Sequence, residues 1–218
     1  MPVSELVTLR VIGGGAFSSV TVAKWRDTTV AVKTLTPTST DAGSGVAEFM
    51  NEANVHKGLR HPHIVQLLGV VTRPSLAFVM EFMTRGGLDS VLQKTPDLPW
   101  PRRLGFALDV ARGMEHLHAR GLVHRDLKSL NVFVDSQWRC KVGDLGLSRA
   151  VSDKMTARKG TLEWMAPELF DAEREYGQAV DVFSFGIVMW EIWAQAYPYS
   201  KNRDYPGNFF VQKMKVRR

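Results

Sequence analysis

The sequence predicts an α+β protein in two parts: a strand-rich N-terminal part carrying one helix, then a mainly helical C-terminal part. Three observations carry this prediction. Apolar residues alternate at Leu9/Val11, Val20/Val22 and Val30/Val32, the period-2 pattern of half-buried strands. Two further apolar runs, 64–71 and 76–82, have the length and β-branched content of strands. After Leu88 the pattern turns helical, with short strand-like pieces only near 132–134 and 141–142.

Taken in order, a glycine turn at 13–15 and a polar turn at Arg26-Asp27 separate the first three strands. A Thr/Ser/Gly stretch over 36–45 reads as a loop. The spacing then predicts a helix over about 46–58, because Pro62 bars its continuation. Further on, 180–193 is apolar on every side, and its richest run, Val182 to Trp190, is closed off by Asp181 and Glu191. A helix of that kind requires burial all round, but 194–218, polar, proline-broken and basic, is poorly suited to cover it, so some of its large side chains are expected to stay exposed.

Composition narrows the function classes. The chain has 218 residues, 44% hydrophobic and 23% charged, and no run of about 18 uncharged apolar residues that would span a membrane. Cys140 is the lone cysteine, which points to a reducing, cytoplasmic setting. The net charge is +6, but 201–218 holds six basic residues and one acid, so +5 of it lies in that tail. A near-neutral body with a basic tail is not a nucleic-acid-binding face.

Gly13-Gly14-Gly15-Ala16-Phe17-Ser18 alone is a weak signal. A dinucleotide site needs a helix after its glycines, whereas Val20, Val22, Lys24 and Trp25 continue as a strand. A strand–turn–strand hairpin can instead turn its backbone N–H groups toward a triphosphate. Val30-Ala31-Val32-Lys33 follows, and a lysine ending an apolar strand is costly unless its charge is used. Glu52 or Glu48, one helical turn apart, could pair with it.

The strongest segment is His124-Arg125-Asp126-Leu127-Lys128-Ser129-Leu130-Asn131. Asp126 and Asn131 are spaced so that one short loop can hold both a base and a metal ligand. Asp144-Leu145-Gly146 and Met165-Ala166-Pro167-Glu168 follow in order. With the glycine loop and Lys33, these blocks resemble the signature set of eukaryotic protein kinases. Gly160-Thr161 and Asp181 add to the likeness. Trp25 before the lysine strand, and Trp164 before Met165, are similar to the tyrosine-kinase-like group, the Raf-like and mixed-lineage serine/threonine kinases. Lys128, two residues after Asp126, resembles the serine/threonine pattern. In the family the helix glutamate stands nine residues before a His-Pro; Glu52 and His61-Pro62 reproduce that interval.

The resemblance implies a bilobal fold: an antiparallel sheet and one helix at 1–83, a mainly helical C-lobe at 84–200 lacking its last helices, and a divergent basic tail at 201–218. It implies transfer of the ATP γ-phosphate to serine or threonine hydroxyls of protein substrates. Lys33, held by Glu52, would bind the α- and β-phosphates under Ile12, Gly13, Gly14, Gly15 and Ser18. Asn131 and Asp144 would hold Mg²⁺. Asp126 would take the hydroxyl proton while Lys128 neutralises the γ-phosphate. Adenine would lie between Val20/Ala31 and Phe133, bonding the backbone at Glu81 and Met83, with Met80 as gatekeeper. The loop 144–168 carries Ser152 and Thr156 as sites for an upstream activating kinase, whose phosphate Arg125 would receive. Thr161 is the poorer phosphosite, because its family counterpart bonds the catalytic aspartate.

Some positions depart from the pattern. Ser18 replaces a glycine, Leu145 replaces a phenylalanine as an apolar plug, and His56 stands where a long apolar residue is usual. The family pattern stops near residue 200, so a truncated or mis-spliced frame is expected. A pseudokinase-like nucleotide-binding scaffold is the alternative function. His61/His63 and His116/His118 read as structural, and Cys140 as a packed strand residue.

Overall fold

β-branched residues in alternation place the first third of the chain in a five-stranded antiparallel sheet. The computed structural model describes residues 1–14, 18–35, 42–145, 149–150, 161–170 and 176–199. Strands β1 (Leu6–Gly14), β2 (Ser18–Trp25), β3 (Thr28–Leu35), β4 (Leu67–Val71) and β5 (Ala77–Glu81) stand in the order β1-β2-β3-β5-β4. The tight turn between β2 and β3 has Arg26 at φ 52°, as the polar pair Arg26-Asp27 leads one to expect.

Register separates the two faces of the sheet. Val32 pairs with Thr21 and Val79, and Val30 with Ala23. Ala23, Val30, Val32 and Val79, with Val71 and Ala77, make a buried apolar cluster on one face, closed by the partly buried Met1, Leu6, Trp25 and Leu68. On the other face, Val20, Lys33 and Phe78 form one cross-strand row, and Val22, Ala31 and Met80 the next. Helix α1 (Ala42–Lys57) lays Phe49 and Ala53 against Phe78 there, the two phenylalanine rings 4.3 Å apart.

This helix starts at Ala42, four residues before the expected 46. Its first turn, Ala42-Gly43-Ser44-Gly45, is poor helix sequence; tertiary packing of the following turns carries it. His56 is buried, and its Nε2–H donates to the Val65 carbonyl at 2.7 Å. An unpaired imidazole would be costly in that place, and this bond satisfies it.

The chain divides between Thr84 and Arg85 into two compact units. The second is built on helices α2 (Leu88–Lys94), α3 (Trp100–His118) and α4 (Ala179–Ala194), with short strands β6 (Gly86–Gly87), β7 (Leu122–Val123), β8 (Val132–Val134), β9 (Cys140–Val142) and β10 (Arg149–Ala150). β6, β8 and β9 form one small sheet, and β7 pairs with β10. Cys140 is fully buried in β9, and that burial pushes its thiol well above the ordinary range, as befits a packed residue rather than a nucleophile.

Helix α4 is buried along one side only. Its buried stripe is Val180, Asp181, Ser184, Val188, Glu191 and Ile192, which includes both acids that bracket the apolar run. Val182, Phe183, Met189, Trp190 and Trp193 are exposed instead. No helix among the described residues is long and apolar enough to cross a membrane.

Candidate active site

In the first unit, the sequence-predicted residues cluster on the α1 face of the sheet. Ala31 and Lys33 alternate with the core residues Val30 and Val32, so they project to the opposite face. Val20 stands across from Lys33, and Met80 across from Ala31. Glu52 is half-buried on α1, on the same helical stripe as Phe49, Ala53 and His56. That stripe packs against the sheet face bearing Lys33. Glu81 closes β5 and its carboxylate accepts the Gln66 N–H at 2.7 Å. Met83 is buried.

Gly13 and Gly14 pair with Val20 and Ser19 at the end of β1, and Ile12 sits at the adjoining register shift. Neither glycine has a left-handed φ, and a Cβ built on either would meet nothing nearer than 3.7 Å. Among the described residues, no atom therefore requires these positions to be bare. Ser18 opens β2 opposite Leu35, while Gly15 lies outside the described residues.

In the second unit, one carboxylate organises the loop 124–131. Asp126 Oδ1 accepts both the Thr161 N–H and the Thr161 hydroxyl at 3.0 Å. Its Oδ2 accepts Asn131 Nδ2 at 3.0 Å and the Lys128 ammonium at 2.9 Å. Lys128 Nζ also donates to Thr161 Oγ1 at 2.6 Å. Asn131 Nδ2 donates further to the Asp126 carbonyl at 2.8 Å, so its nitrogen is fully engaged and its oxygen is the atom left for a cation.

Asp144 is placed by the hairpin of β8 and β9. Val132 pairs with Val142, and just beyond them the Gly143 N–H donates to the Asn131 carbonyl at 2.9 Å. Asn131 and Asp144 thus stand at the same end of that ladder. Asp144 is exposed, with φ 55°, an uncommon conformation for a non-glycine residue and one that clusters at functional sites. Leu145 beside it is buried at 2% exposure, as an apolar plug should be. Phe133, in β8, is half-buried and pairs with Gly87 and Lys141.

Beneath the loop lies an acid whose role the sequence reading did not assign. Asp181, buried in α4, accepts the backbone N–H of His124 at 2.8 Å, that of Arg125 at 2.9 Å and His118 Nε2 at 2.8 Å. Arg125 has φ 72°, and these bonds to its own N–H and its neighbour's hold that strained turn. His124 is fully buried; Nε2–H donates to the Gly143 carbonyl at 3.1 Å while Nδ1 accepts the Asp126 N–H at 3.3 Å. A charged residue inside an otherwise apolar helix was the available signal for Asp181.

Buried Arg125 places its guanidinium carbon 5.6 Å from the Tyr176 ring centre. The phosphosite candidates Ser152 and Thr156 lie outside the described residues, as do Gly146, Gly160 and the tail 201–218. The segment from Thr161 resumes with 3₁₀ turns at Leu162–Trp164 and Pro167–Phe170. It is anchored where Met165, Ala166 and Leu169 pack with Val123, Tyr176 and Val180.

Comparison with known proteins agrees with this geometry. The sequence profile described as protein tyrosine and serine/threonine kinase matches residues 6–215. Serine/threonine-protein kinase CTR1 of Arabidopsis thaliana is 41% identical over 208 residues, covering 91% of this chain and 25% of CTR1. Serine/threonine-protein kinase VIK of the same plant is 38% identical over 207 residues, covering 89% of this chain and 47% of VIK. The chain thus spans less than half the length of either relative. Over nearly its whole length it belongs to the protein kinase family.

Proposed function

We propose that this chain is the catalytic domain of a cytoplasmic serine/threonine kinase of the tyrosine-kinase-like group, acting on protein substrates. The observation that carries the reading is the triangle of Asp126, Lys128 and Thr161. It sets an ammonium 2.9 Å from the carboxylate that faces the acceptor, two residues along the same loop. The names of CTR1 and VIK, both serine/threonine-protein kinases, support the same acceptor class.

The residues fit Mg²⁺ and ATP. Asn131 offers Oδ1 and Asp144 an exposed carboxylate, an all-oxygen donor set suited to a hard cation. Gly13 and Gly14 leave the backbone bare where no neighbour among the described residues demands it, as close approach of a phosphate chain does. Bound Mg-ATP supplies the transferable γ-phosphoryl group and the cation that offsets its charge.

The chain's own groups do the rest. Lys33, steadied by Glu52, neutralises the α- and β-phosphates. The Glu81 and Met83 backbone recognises the adenine edge, with Val20 and Ala31 against its ring and Met80 limiting its depth. Asp126 orients the serine or threonine hydroxyl and accepts its proton, a contribution of about 10²–10⁴ in rate. Lys128 balances charge on the group in transit. Retention of Lys33, Asp126, Asn131 and Asp144 together argues against a nucleotide-binding scaffold without turnover.

Mg-ATP at 100 times its Kd should stabilise the folded chain by about 2.7 kcal/mol, and Lys33→Ala or Asp144→Asn should abolish the shift. Transferred label should appear on serine or threonine. A melt that Mg-ATP leaves unmoved, or mainly phosphotyrosine product, contradicts the reading.

A further inference from the structure

The kinase reading makes no use of a second buried acid. Glu191 on α4 is 2% exposed, as is Trp164, while Ser129 is fully buried. Glu191 Oε1 accepts the Ser129 hydroxyl at 2.5 Å, and Oε2 accepts the Trp164 indole N–H at 2.7 Å. One carboxylate therefore ties two segments 35 residues apart in sequence. Ser129 begins the 3₁₀ turn Ser129–Asn131 inside the catalytic loop. Trp164 ends the turn that follows Thr161.

Both arms lead back to Asp126. On one side the Asn131 N–H donates to the Lys128 carbonyl at 2.9 Å, and Asn131 Nδ2 reaches Asp126. On the other, the Trp164 N–H donates to the Thr161 carbonyl at 3.1 Å, and Thr161 bonds Asp126 Oδ1 twice. Ser184 Oγ, also on α4, donates to the Trp164 carbonyl at 2.8 Å and fixes that arm to the same helix. These bonds, together with the short stretch of chain from Ser129 to Asn131, close a ring: Glu191, Ser129, Asn131, Asp126, Thr161, Trp164 and back to Glu191.

From this ring we infer that Glu191 is a positioning residue, which sets the aim of Asp126 by holding the catalytic loop and the Thr161 segment in one register. The inference rests on the assignment of Asp126 as the base of a phosphoryl transfer. Burying a carboxyl without need is expensive. Here each oxygen is matched to a donor, and the indole N–H, which can only donate, fixes which way the carboxyl must face. A glutamine keeps both contacts, because its carbonyl can accept from Trp164 while its NH₂ donates to the Ser129 oxygen. An alanine loses both.

The test compares wild type, Glu191→Gln and Glu191→Ala in the same chain, with myelin basic protein as acceptor, alongside amide hydrogen exchange. Glu191→Ala should lower kcat by about 10–100-fold, the scale of an ångström-level misalignment, with the KM for ATP unchanged. Glu191→Gln should restore kcat to within a few-fold. In exchange, the Asn131, Thr161 and Trp164 amides should all lose protection in Glu191→Ala and regain it in Glu191→Gln, while β2 and β3 stay unchanged. If wild type shows no turnover, the kinase reading fails and the exchange data alone decide the ring. Should Glu191→Ala not fold, Ser129→Ala and Trp164→Phe, each cutting one arm, replace it and should each lower kcat or loosen both segments. Full activity with unchanged exchange in the cut variants overturns the inference, as does a glutamine no better than alanine.

Discussion

At the residue scale, two carboxyl groups show how environment divides their roles. Asp126 keeps 13% of its side chain exposed and collects four donor contacts from Thr161, Asn131 and Lys128. Glu191 lies inside, where burial, and secondarily the nearby Asp89 carboxylate, raise its pKa from 4.5 to about 7 against the lowering effect of Ser129 and Trp164. Tyr197, just beyond α4, is itself pushed up, mainly by burial and partly by Glu163 and Glu191. Because the folded pKa of Glu191 exceeds the unfolded one, the folded state holds the proton more tightly between those values. Its contribution to stability is therefore full below about pH 4.5 and is lost as pH rises through 7. At 1.36 kcal/mol for each pH unit, the loss is on the order of 3 kcal/mol. Urea denaturation at pH 5 and pH 8 should show wild type losing stability that Glu191→Gln retains; parallel behaviour of the two proteins contradicts this. Asp126 and Lys128 were legible in the sequence because they share one short motif, and the Thr161 bond because the family resemblance implies it. The roles of Asp181 and Glu191 were not, since in one dimension they only mark the ends of an apolar run. Their partners lie 27 or more residues away in the chain, which no periodicity reveals.

At the element scale, α4 is inverted relative to a surface helix. Its polar side chains Asp181, Ser184 and Glu191 face inward, and Val182, Phe183, Met189 and Trp190 face outward. The inward polar groups are all hydrogen-bonded, so their burial carries no orphaned atom. The outward apolar groups form a patch of the sort that drives association. Trp193 differs from its neighbours: its ring meets Trp100 edge-on, 3.8 Å between centres, so part of its surface is used. Val182→Ser with Trp190→Ser should therefore reduce hydrophobic-dye binding and aggregation while changing unfolding free energy by less than about 1 kcal/mol. Asp181→Ala, by contrast, should cost at least about 3 kcal/mol, because it strands two buried N–H groups and a histidine. A dye signal that survives the serine pair would mean the patch is not what the dye sees. The start of α1 was misread for a related reason. Gly43-Ser44-Gly45 has the composition of a loop, and only the packing of Phe49 and Ala53 on Phe78 makes helix the better state there.

At the scale of the whole molecule, the two units divide the labour that the sequence assigns. The first offers a sheet whose α1 face carries Val20, Ala31, Lys33 and Met80. The second offers the loop of Asp126, Lys128 and Asn131 and the Asp144 ladder end. The α+β class and the change from strands to helices were readable because each part keeps one hydrophobic period over many residues. Asp126 as the base of a transfer to serine or threonine hydroxyls carries the proposed function. Its most direct test is the rate of ³²P transfer from Mg-ATP by wild type and by Asp126→Asn, with Mg-ATP affinity measured on the same samples. The account predicts that Asp126→Asn loses at least about 10²-fold in transfer, keeps its Mg-ATP affinity, and that wild-type label is recovered as phosphoserine or phosphothreonine. Transfer by Asp126→Asn at the wild-type rate would contradict it.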